Sequence, residues 1–331
     1  MNRNAEAITL FCSHLCVTDG ILPLEAKEWS ILAEKLLSLK LKPEYLLDFE
    51  RQDYIEQINA TDEEADRYMR LLERSGSLRF EISRYEDMGI RIVTRADSEY
   101  PRQLKKRLGS TCPPLFYAAG DPGLLNQATV GYVGSRSVDP GDVEFTRQTV
   151  AKTASRGYGV VSGGAKGIDS ISASAAMEAG VPVIEYLADS MLRKMRDSEL
   201  IRGIRDGRVL LMSVVIPTAG FNVGVAMMRN RYIYAQSSGT VVIRSDKGKG
   251  GTWAGATEDL KKQWCPVFCR DCDYPGNREL IRLGAIPVTD EWDGDVEVRL
   301  NDAPHPSEEQ EPEQRGEQLN MLDMLPPSGK S

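Results

Sequence analysis

From Thr129 onward, short apolar segments alternate with longer helix-like segments, and this alternation constrains the fold more than any other feature of the sequence. Six apolar segments predict strands, at 130–133, 159–161, 181–187, 209–212, 240–243 and 267–269. Helical patterning covers roughly 142–156, 168–179, 190–206, 221–236 and 253–263 between them, and 277–284 after them. Repeated units of this kind predict an α/β fold, a doubly wound parallel sheet with helices on both faces. Two sets of three strands predict Rossmann-like order, with the switch point between the first and fourth strands.

The segments on either side of this region differ from it in composition. Residues 1–88 carry leucines and isoleucines at helical spacing and predict a small helical domain, with a helix start at Thr61. A short strand at 90–93 and an extended segment at 115–117 follow. Residues 290–331 are rich in proline, glutamate and glutamine and predict a disordered acidic tail. We therefore expect a helical domain (1–88), a Rossmann-like domain (89–289) and the tail (290–331).

Composition and charge are ordinary for a soluble globular protein. Hydrophobic residues make up 41% and charged residues 27% of the 331 residues. No apolar run approaches the ~20 residues of a membrane helix, and the first residues lack a secretion signal, so we expect a cytoplasmic protein. The net charge of −8 comes from the tail, which holds 12 acidic and 3 basic residues against 37 and 38 elsewhere. A neutral body does not argue against a nucleic-acid partner.

Six cysteines and two histidines limit the available chemistry. The spacing Cys265-x3-Cys269-x2-Cys272 allows a metal site or reduced structural thiols. The second interpretation is favoured, because this segment lies in a predicted buried strand and no histidine is near it. The two histidines, His14 and His305, also give little support to a Ser-His or Cys-His hydrolase. We expect neither a metal nor another cofactor.

A glycine-rich turn joins the second predicted strand of the sheet to its helix. It reads Ser162-Gly163-Gly164-Ala165-Lys166-Gly167-Ile168-Asp169. Glycines let backbone N–H groups approach an anion, and the helix start adds a partial positive charge. Lys166 supplies a full charge, and Asp169 suits the helix start, where it can cap free N–H groups. The alternative is a tight turn whose glycines serve packing alone.

Basic or glycine-rich segments follow the other strands as well. They are Gly134-Ser135-Arg136-Ser137, the segment from Phe221 to Arg231, and Lys247-Gly248-Lys249-Gly250-Gly251-Thr252. Ligands of doubly wound sheets bind beyond the carboxyl ends of the strands, where these segments are expected to meet. The accumulation of cations at one end favours a phosphate-bearing ligand. The absence of G-x-G-x-x-G and of G-x-x-x-x-G-K-[ST] argues against dinucleotide enzymes and P-loop ATPases.

Taken in order, several of these motifs resemble the DNA-processing protein A (DprA, or Smf) family. The motifs are Val133-Gly134-Ser135-Arg136, the glycine-rich turn through Asp169, Arg229-Asn230-Arg231 and Gly250-Gly251-Thr252, with Tyr100-Pro101, Pro114-Leu115 and Gly276-Asn277 extending the match over about 85–289. The resemblance implies an extended Rossmann fold that binds single-stranded DNA, forms a homodimer, is not an enzyme, and helps to load the RecA recombinase during DNA uptake (transformation) or repair. It also implies that Arg136 and Lys166 contact phosphates and that Arg229 and Arg231 line the same pocket.

The sequence departs from the family pattern at four places. Gly164 stands where the family usually has leucine, and the helix after the turn lacks the family's histidine. The segment Ala188-Asp189-Ser190-Met191-Leu192 replaces a Tyr-Pro element, and the 248–255 loop has additional glycines. These differences indicate a divergent branch and bear on the role in transformation more than on the fold.

Other nucleotide-binding functions remain as alternatives. The glycine-rich loops also resemble nucleotide-sensing Rossmann modules of defence or stress systems, and the LOG-type nucleoside monophosphate phosphoribohydrolases. The latter need a glutamate three residues after the threonine, where this chain has Gly255. Glu258 lies about 300° further around the helix and does not substitute for it. A long DNA groove is expected to continue over Arg193, Lys194, Arg196 and 105–107, whereas a sensor needs a closed pocket.

Two further features are open to a functional and a structural interpretation. Phe145, Tyr158 and Tyr232 are candidate platforms for base stacking, but aromatic residues at such positions more often belong to the core. In the tail, Gln318, Leu319, Met321 and Leu322 resemble a bacterial sliding-clamp binding motif. The alternative for the tail motif is a chance apolar segment.

Overall fold

Helices form the first part of the chain. The computed structural model describes residues 1–17 and 20–297. In these residues, the helices before the first strand are Arg3–Cys12 (α1), Ala26–Ser38 (α2), Arg51–Ile58 (α3), Asp62–Glu73 (α4) and Ser75–Asp87 (α5). The predicted helix start at Thr61 is present, because Thr61 Oγ1 accepts from the Glu64 amide while the Glu64 carboxylate accepts from the Thr61 amide.

Nine strands form one sheet in the described part of the chain. They are Ile90–Thr94 (β1), Leu115–Gly120 (β2), Thr129–Val133 (β3), Gly159–Ser162 (β4), Val183–Leu187 (β5), Val209–Ser213 (β6), Gly239–Val242 (β7), Val267–Arg270 (β8) and Ile286–Val288 (β9). β2 pairs antiparallel with β1 and β6, and the remaining pairs are parallel. The six predicted strands correspond to β3–β8, so the predicted α/β fold is confirmed.

The order of the strands differs from the predicted Rossmann order. It is β1-β2-β6-β5-β4-β3-β7-β8-β9, so four of the six predicted strands lie on one side and two on the other. The switch point therefore lies between the first and fifth predicted strands, β3 and β7, and the prediction of the first and fourth was wrong. The reason is that β6 joins the β5 side of the sheet, where it also receives the antiparallel strand β2.

Helices connect the strands on both faces of the sheet. They are Arg102–Leu108 (α6), Pro140–Ser155 (α7), Ile168–Glu178 (α8), Met191–Lys194 (α9), Ser198–Arg205 (α10), Val223–Gln236 (α11), Gly250–Lys262 (α12) and Pro275–Arg282 (α13). The single helix predicted at 190–206 is in fact two helices. Asp197 separates them, because its side chain accepts from the amides of Glu199 and Leu200 and starts a new helix.

The helical segment packs directly against the antiparallel edge of the sheet. Ser13 Oγ lies 2.9 Å from the hydroxyl of Tyr117 on β2. The buried guanidinium of Arg74 donates to the carbonyls of Ser13 and Leu15, each 3.0 Å away, and to that of Leu10. These bonds satisfy carbonyls at the end of α1 and in the segment just after it.

The part of the predicted acidic tail from 298 onward, with its apolar motif, lies outside the described residues. Residues 290–297 pack against the sheet domain, since Val296 is buried and the ring centroid of Trp292 lies 5.5 Å from that of Phe268. The predicted clamp-binding residues Gln318, Leu319, Met321 and Leu322 belong to 298–331. Among the helices of the described ranges, none combines the length and apolar character that crossing a bilayer requires.

Candidate anion-binding site

The loops after β3 and β4 touch each other through their backbones. Gly167 has a φ of +81°, and a Cβ at this position would lie 2.3 Å from the carbonyl oxygen of Ser135. A Cβ on Gly134 would lie 2.5 Å from the side chain of Ile168. Since only glycine permits both approaches, the two loops pack more closely than side chains would allow. The predicted meeting of the two loops is therefore present.

The start of α12 completes this arrangement. Asn230 Nδ2 donates to the carbonyl of Gly251 at 2.9 Å, and Thr252 Oγ1 donates to the carbonyl of Gly134 at 3.1 Å. Gly250, with a φ of +78°, begins α12 and is exposed. Asn230 and Thr252 thus hold the loop after β7 in place. Both side chains use these polar groups for hydrogen bonds within the protein.

Asp169 binds the glycine-rich loop (162–167) from within. Its Oδ2 accepts from the amides of Gly163 at 3.1 Å and Ala165 at 3.3 Å. The carboxylate lies in the first turn of α8, as predicted, but it caps the loop and not the helix. These two amides are therefore unavailable to an external anion. Burial raises the pKa of Asp169, and the nearby Arg229 guanidinium and the two amides oppose that shift.

Arg229 lies beneath the glycine-rich loop and not on its surface. Its side chain is 6% exposed, and Nη1 lies 3.7 Å from Oδ2 of Asp169. Within the described residues, Nε and Nη1 have no hydrogen-bond partner, and neither does the buried hydroxyl of Ser162. Burial lowers the pKa of Arg229, while Asp169 and Glu185 raise it. The guanidinium supports the loop from below.

Arg231 does not lie beneath the glycine-rich loop with Arg229 and Asp169. Its Nε donates to Glu258 Oε2 on α12 at 2.9 Å. Positions two apart on a helix point about 200° apart, so Arg229 and Arg231 face nearly opposite sides of α11. The implied common pocket for the two arginines is therefore not formed.

Arg136 and Lys166 are the cations that the loops after β3 and β4 expose. Both side chains are exposed, and neither forms an ion pair within the described ranges. They come from the two loops that touch at Ser135 and Gly167. Arg136 lies over the ring of Phe221, with its guanidinium carbon 5.1 Å from the ring centroid. An open cationic surface with an adjacent aromatic ring results.

Phe221 was missed in the sequence-based choice of aromatic residues. It is 49% exposed, whereas Phe145, Tyr158 and Tyr232 are 4%, 8% and 3% exposed and belong to the core. Val223 and Met227, one turn apart on α11, are also exposed. The available signal was the position of Phe221, directly before the Asn222 cap of a helix that begins at the cationic edge.

Three of the six basic residues expected to continue a DNA groove are engaged in contacts within the protein. Arg193 pairs with Asp189, and Lys194 pairs with Glu185. Arg107 donates to the carbonyls of Ala235 and Ser237 at the C-terminal end of α11. That helix has 14 residues and is thus about 21 Å long, so 105–107 lie far from its exposed N-terminal end. Arg196, Lys105 and Lys106 are exposed.

The cysteines are free thiols. Cys265 and Cys269 are buried, Cys272 is half-buried, and burial raises the pKa of each. In residues 1–17 and 20–297, no three or more His, Cys, Asp and Glu side chains are grouped so that they could hold a metal ion. The burial of Cys265, Cys269 and Cys272 favours their interpretation as reduced structural thiols.

The matched region decides the family. A family model described as DNA recombination-mediator protein A matches residues 91–294, which is more than half of the chain. The chain belongs to this family. The curated DNA processing protein DprA of Bacillus subtilis (strain 168) is 26% identical over 183 residues, covering 55% of this chain. The match spans 61% of that relative, so this chain covers about three fifths of its length.

Solved structures of DNA processing protein A resemble this one. DprA of Streptococcus pneumoniae superposes with a TM-score of 0.65 at 19% identity, covering 86% of this chain and 94% of that one. DNA processing protein A of Helicobacter pylori, described for its single-stranded DNA binding mode, gives a TM-score of 0.49 at 24% identity and covers 59% of this chain and 90% of its own. The S. pneumoniae structure supports the same fold for this member of the family.

Proposed function

We propose that the chain binds single-stranded DNA at the carboxyl edge of its sheet and acts in DNA processing or recombination. The description of the family as a recombination mediator supports this class of function. The observation that carries the proposal is the exposed pair of Arg136 and Lys166, whose positive charges no described carboxylate neutralises. Electrostatic contacts to phosphates supply much of the affinity for nucleic acid.

Phe221 adds a contact that suits a strand with unpaired bases. Its ring lies beside Arg136, and about half of its surface is exposed. Base–aromatic stacking is worth about 1–3 kcal/mol for each base and does not depend strongly on sequence. A phosphate on Arg136 and Lys166 with its base on Phe221 would use both properties. This combination favours a single strand over an isolated phosphate group.

We further propose that this site binds DNA without chemical change. Glu258, the first glutamate after the Gly250–Thr252 segment, accepts a hydrogen bond from Arg231 on α11. Its carboxylate is thus occupied in holding α12 to α11. The two histidines of the chain are His14, in the helical segment, and His305, outside the described residues. These placements support a binding function over a LOG-type hydrolase.

RecA, a second copy of the chain and the sliding clamp are proposed partners, and a cytoplasmic location is proposed with them. The clamp motif is tested by removing residues 315–331. The shortened chain should bind single-stranded DNA as the full chain does and should lose retention by immobilised clamp. Unchanged retention by the clamp would contradict this role for Gln318, Leu319, Met321 and Leu322.

The main test is fluorescence anisotropy with a labelled single strand of about 30 nucleotides, a length that exceeds one binding site. We expect wild-type binding that weakens steeply with salt, and a large loss for Arg136→Ala/Lys166→Ala. Each lost phosphate contact should reduce the slope of log K against log salt by about 0.7. No binding at low salt would contradict the proposal and favour a nucleotide-sensing function, tested with mononucleotides in the same assay.

Arg147→Ala serves as a matched control for charge. It also removes one cation from the surface, but Arg147 lies on α7 and pairs with Glu178. Its affinity and salt dependence should equal those of wild type. An equal loss for this variant would show that net charge, and not the site, controls binding.

A further inference from the structure

An ion pair lies directly beneath the glycine-rich loop. Glu185 on β5 is 1% exposed, and Lys194, the last residue of α9, is 22% exposed. Lys194 Nζ lies 3.1 Å from Glu185 Oε2 and donates to the carbonyl oxygen of Gly164 at 3.0 Å. The ammonium therefore bridges a strand carboxylate and the loop backbone.

Gly164 is fitted to this pair. Its φ is +64°, and a Cβ there would lie 2.9 Å from Glu185 Oε2 and 2.7 Å from Leu187 Cδ2. The loop therefore crosses immediately above the carboxylate, at a distance that a larger residue would not permit. The glycine at 164, one of the departures from the family pattern, leaves the space that Glu185 and Leu187 occupy.

The pair belongs to a buried charge cluster, defined here as Asp169, Glu185, Lys194 and Arg229. Two carboxylates and two cations give this cluster no net charge. Glu185 interacts with Lys194 and Arg229, and Asp169 interacts with Arg229 and Lys194. Lys194 thus adds little positive potential for a phosphate outside the loop, in contrast with Arg136 and Lys166.

The carbonyl oxygen of Gly164 and the carboxylate of Glu185 carry charge of the same sign. Lys194 is the group that joins them. Without its ammonium, a buried carboxylate would lose its partner and would repel the loop carbonyl, since a buried charge requires compensation. The expected response is a shift of the loop away from β5, which moves the neighbouring Lys166.

We propose, on the basis of the single-stranded DNA binding proposed above, that Lys194 and Glu185 are positioning residues for the phosphate site. They hold the glycine-rich loop in the conformation that presents Lys166 beside Arg136, and they do not contact DNA. This assigns Lys194 a role different from the groove contact expected from the sequence.

The test is a double-mutant cycle of Lys194→Met and Lys166→Ala, measured by anisotropy with the same single strand across a salt series. Lys194→Met alone should weaken binding to about the extent of Lys166→Ala, and its effect in the Lys166→Ala background should fall below about twofold, because the two act through one contact. If Lys194 itself binds phosphate, the losses of binding free energy in the two single variants add. The slope of log K against log salt then falls by a further amount of about 0.7 in the double variant. That result would overturn the proposal.

Glu185→Gln gives an independent test based on the sign of its effect. Removing a negative charge near a phosphate site would by electrostatics alone tighten binding. The positioning role predicts weaker binding, because Lys194 loses the charge that holds it under Gly164. Tighter binding would contradict the proposal. Lys194→Arg keeps the cation and should recover most of the affinity lost in Lys194→Met. If Lys194 only filled space, the arginine variant would not recover it.

Arg208→Met is the matched control at the amino end of β6. Arg208 pairs with Asp206 on the surface, away from the carboxyl edge, so its loss should leave affinity unchanged. Circular dichroism and thermal unfolding establish that each variant is folded. If wild type does not bind, or Lys166→Ala has no effect, the proposed function fails. If both behave as expected while Lys194→Met binds like wild type, only the positioning role fails.

Discussion

The guanidinium of Arg229 occupies the space where a side chain at Gly163 would begin. A Cβ on Gly163 would lie 1.1 Å from Nη1 of Arg229. Since Arg229 is buried beside Asp169, this contact joins the loop, the helix α8 and the helix α11 in one unit. The glycine here is required by a neighbour and not by its own backbone conformation.

Gly163→Ala should therefore displace Arg229 and disturb the loop. We expect a loss of stability of about 1–3 kcal/mol, as for other overpacked buried sites. We also expect weaker binding of single-stranded DNA, because Lys166 belongs to the same loop. Chemical denaturation and anisotropy measure the two effects.

Gly220→Ala is the control for this substitution. No atom beyond its two chain neighbours lies within 4 Å of a Cβ at Gly220, and its φ lies outside the left-handed region. Stability and affinity should stay close to those of wild type. Equal behaviour of the two alanine variants would contradict the structural role assigned to Gly163.

Phe221→Ala should weaken single-stranded DNA binding without changing its salt dependence. Stacking contributes about 1–3 kcal/mol for each base and releases no counterions, so the affinity falls while the slope stays the same. Phe221→Trp should preserve affinity. The measurement is anisotropy across a salt series.

Phe80→Ala provides the comparison for an exposed aromatic residue elsewhere. Phe80 lies on α5 and is 70% exposed. Its removal should not change DNA affinity. If Phe221→Ala also binds like wild type, stacking on this ring is excluded.

Local sequence pattern predicted the strands of the parallel sheet and the loops that meet at its edge. Each of β3 to β8 has an apolar run, and Gly134, Gly167 and Thr252 mark the loops that touch. The order of the strands was not predicted. An apolar strand such as β6 has the same sequence pattern whether it lies on one side of β3 or on the other. Its position depends on pairing with β2, a contact between distant segments.

The role of each cation could not be predicted from its place in a loop. Arg229 and Arg136 both follow strands of the parallel sheet, yet one is buried against Asp169 and the other is exposed. Lys194 became part of a buried pair because Glu185, a charged residue in an apolar strand, needs a partner. Such pairing depends on tertiary contacts that sequence spacing does not contain.

A second group of buried charges lies at the carboxyl ends of β7 and β8. Asp142 at the start of α7 has a fully buried side chain and pairs with Arg270 at 2.8 Å and Arg244 at 3.1 Å. Asp142→Ala should leave both arginines without this carboxylate. We expect a loss of about 2–4 kcal/mol, slightly below the range for fully buried pairs because both arginines are partly exposed. Urea denaturation measures it.

Asp273→Ala is the corresponding control on the surface. Asp273 pairs with Arg278, and their side chains are 94% and 65% exposed. Pairs of this kind contribute about 0–1 kcal/mol. A loss for Asp142→Ala no larger than that for Asp273→Ala would contradict the importance of the buried group.

Stability should also depend on pH through Asp259 on α12. Its Oδ1 accepts from the amides of Trp264 at 3.0 Å and Cys265 at 3.3 Å, and burial raises its pKa to about 7, against partial compensation from these bonds and from Arg107. The folded state therefore binds a proton more tightly than the unfolded state does. The free energy of unfolding therefore falls as pH rises from the pKa of Asp259 in the unfolded state to about 7. Above that pH it stays lower by the full cost of ionising the buried carboxyl group.

Asp259→Asn keeps the shape and the acceptor oxygen but cannot ionise, so it should remove this dependence. Between about pH 5.5 and pH 8, the variant should gain on wild type by about 2 kcal/mol in free energy of unfolding. The difference between the two proteins is the quantity to measure. Burial lowers the pKa of His14, which destabilises both proteins equally as pH falls. A wild-type-to-variant difference that is the same at both pH values would show that Asp259 does not titrate in this range.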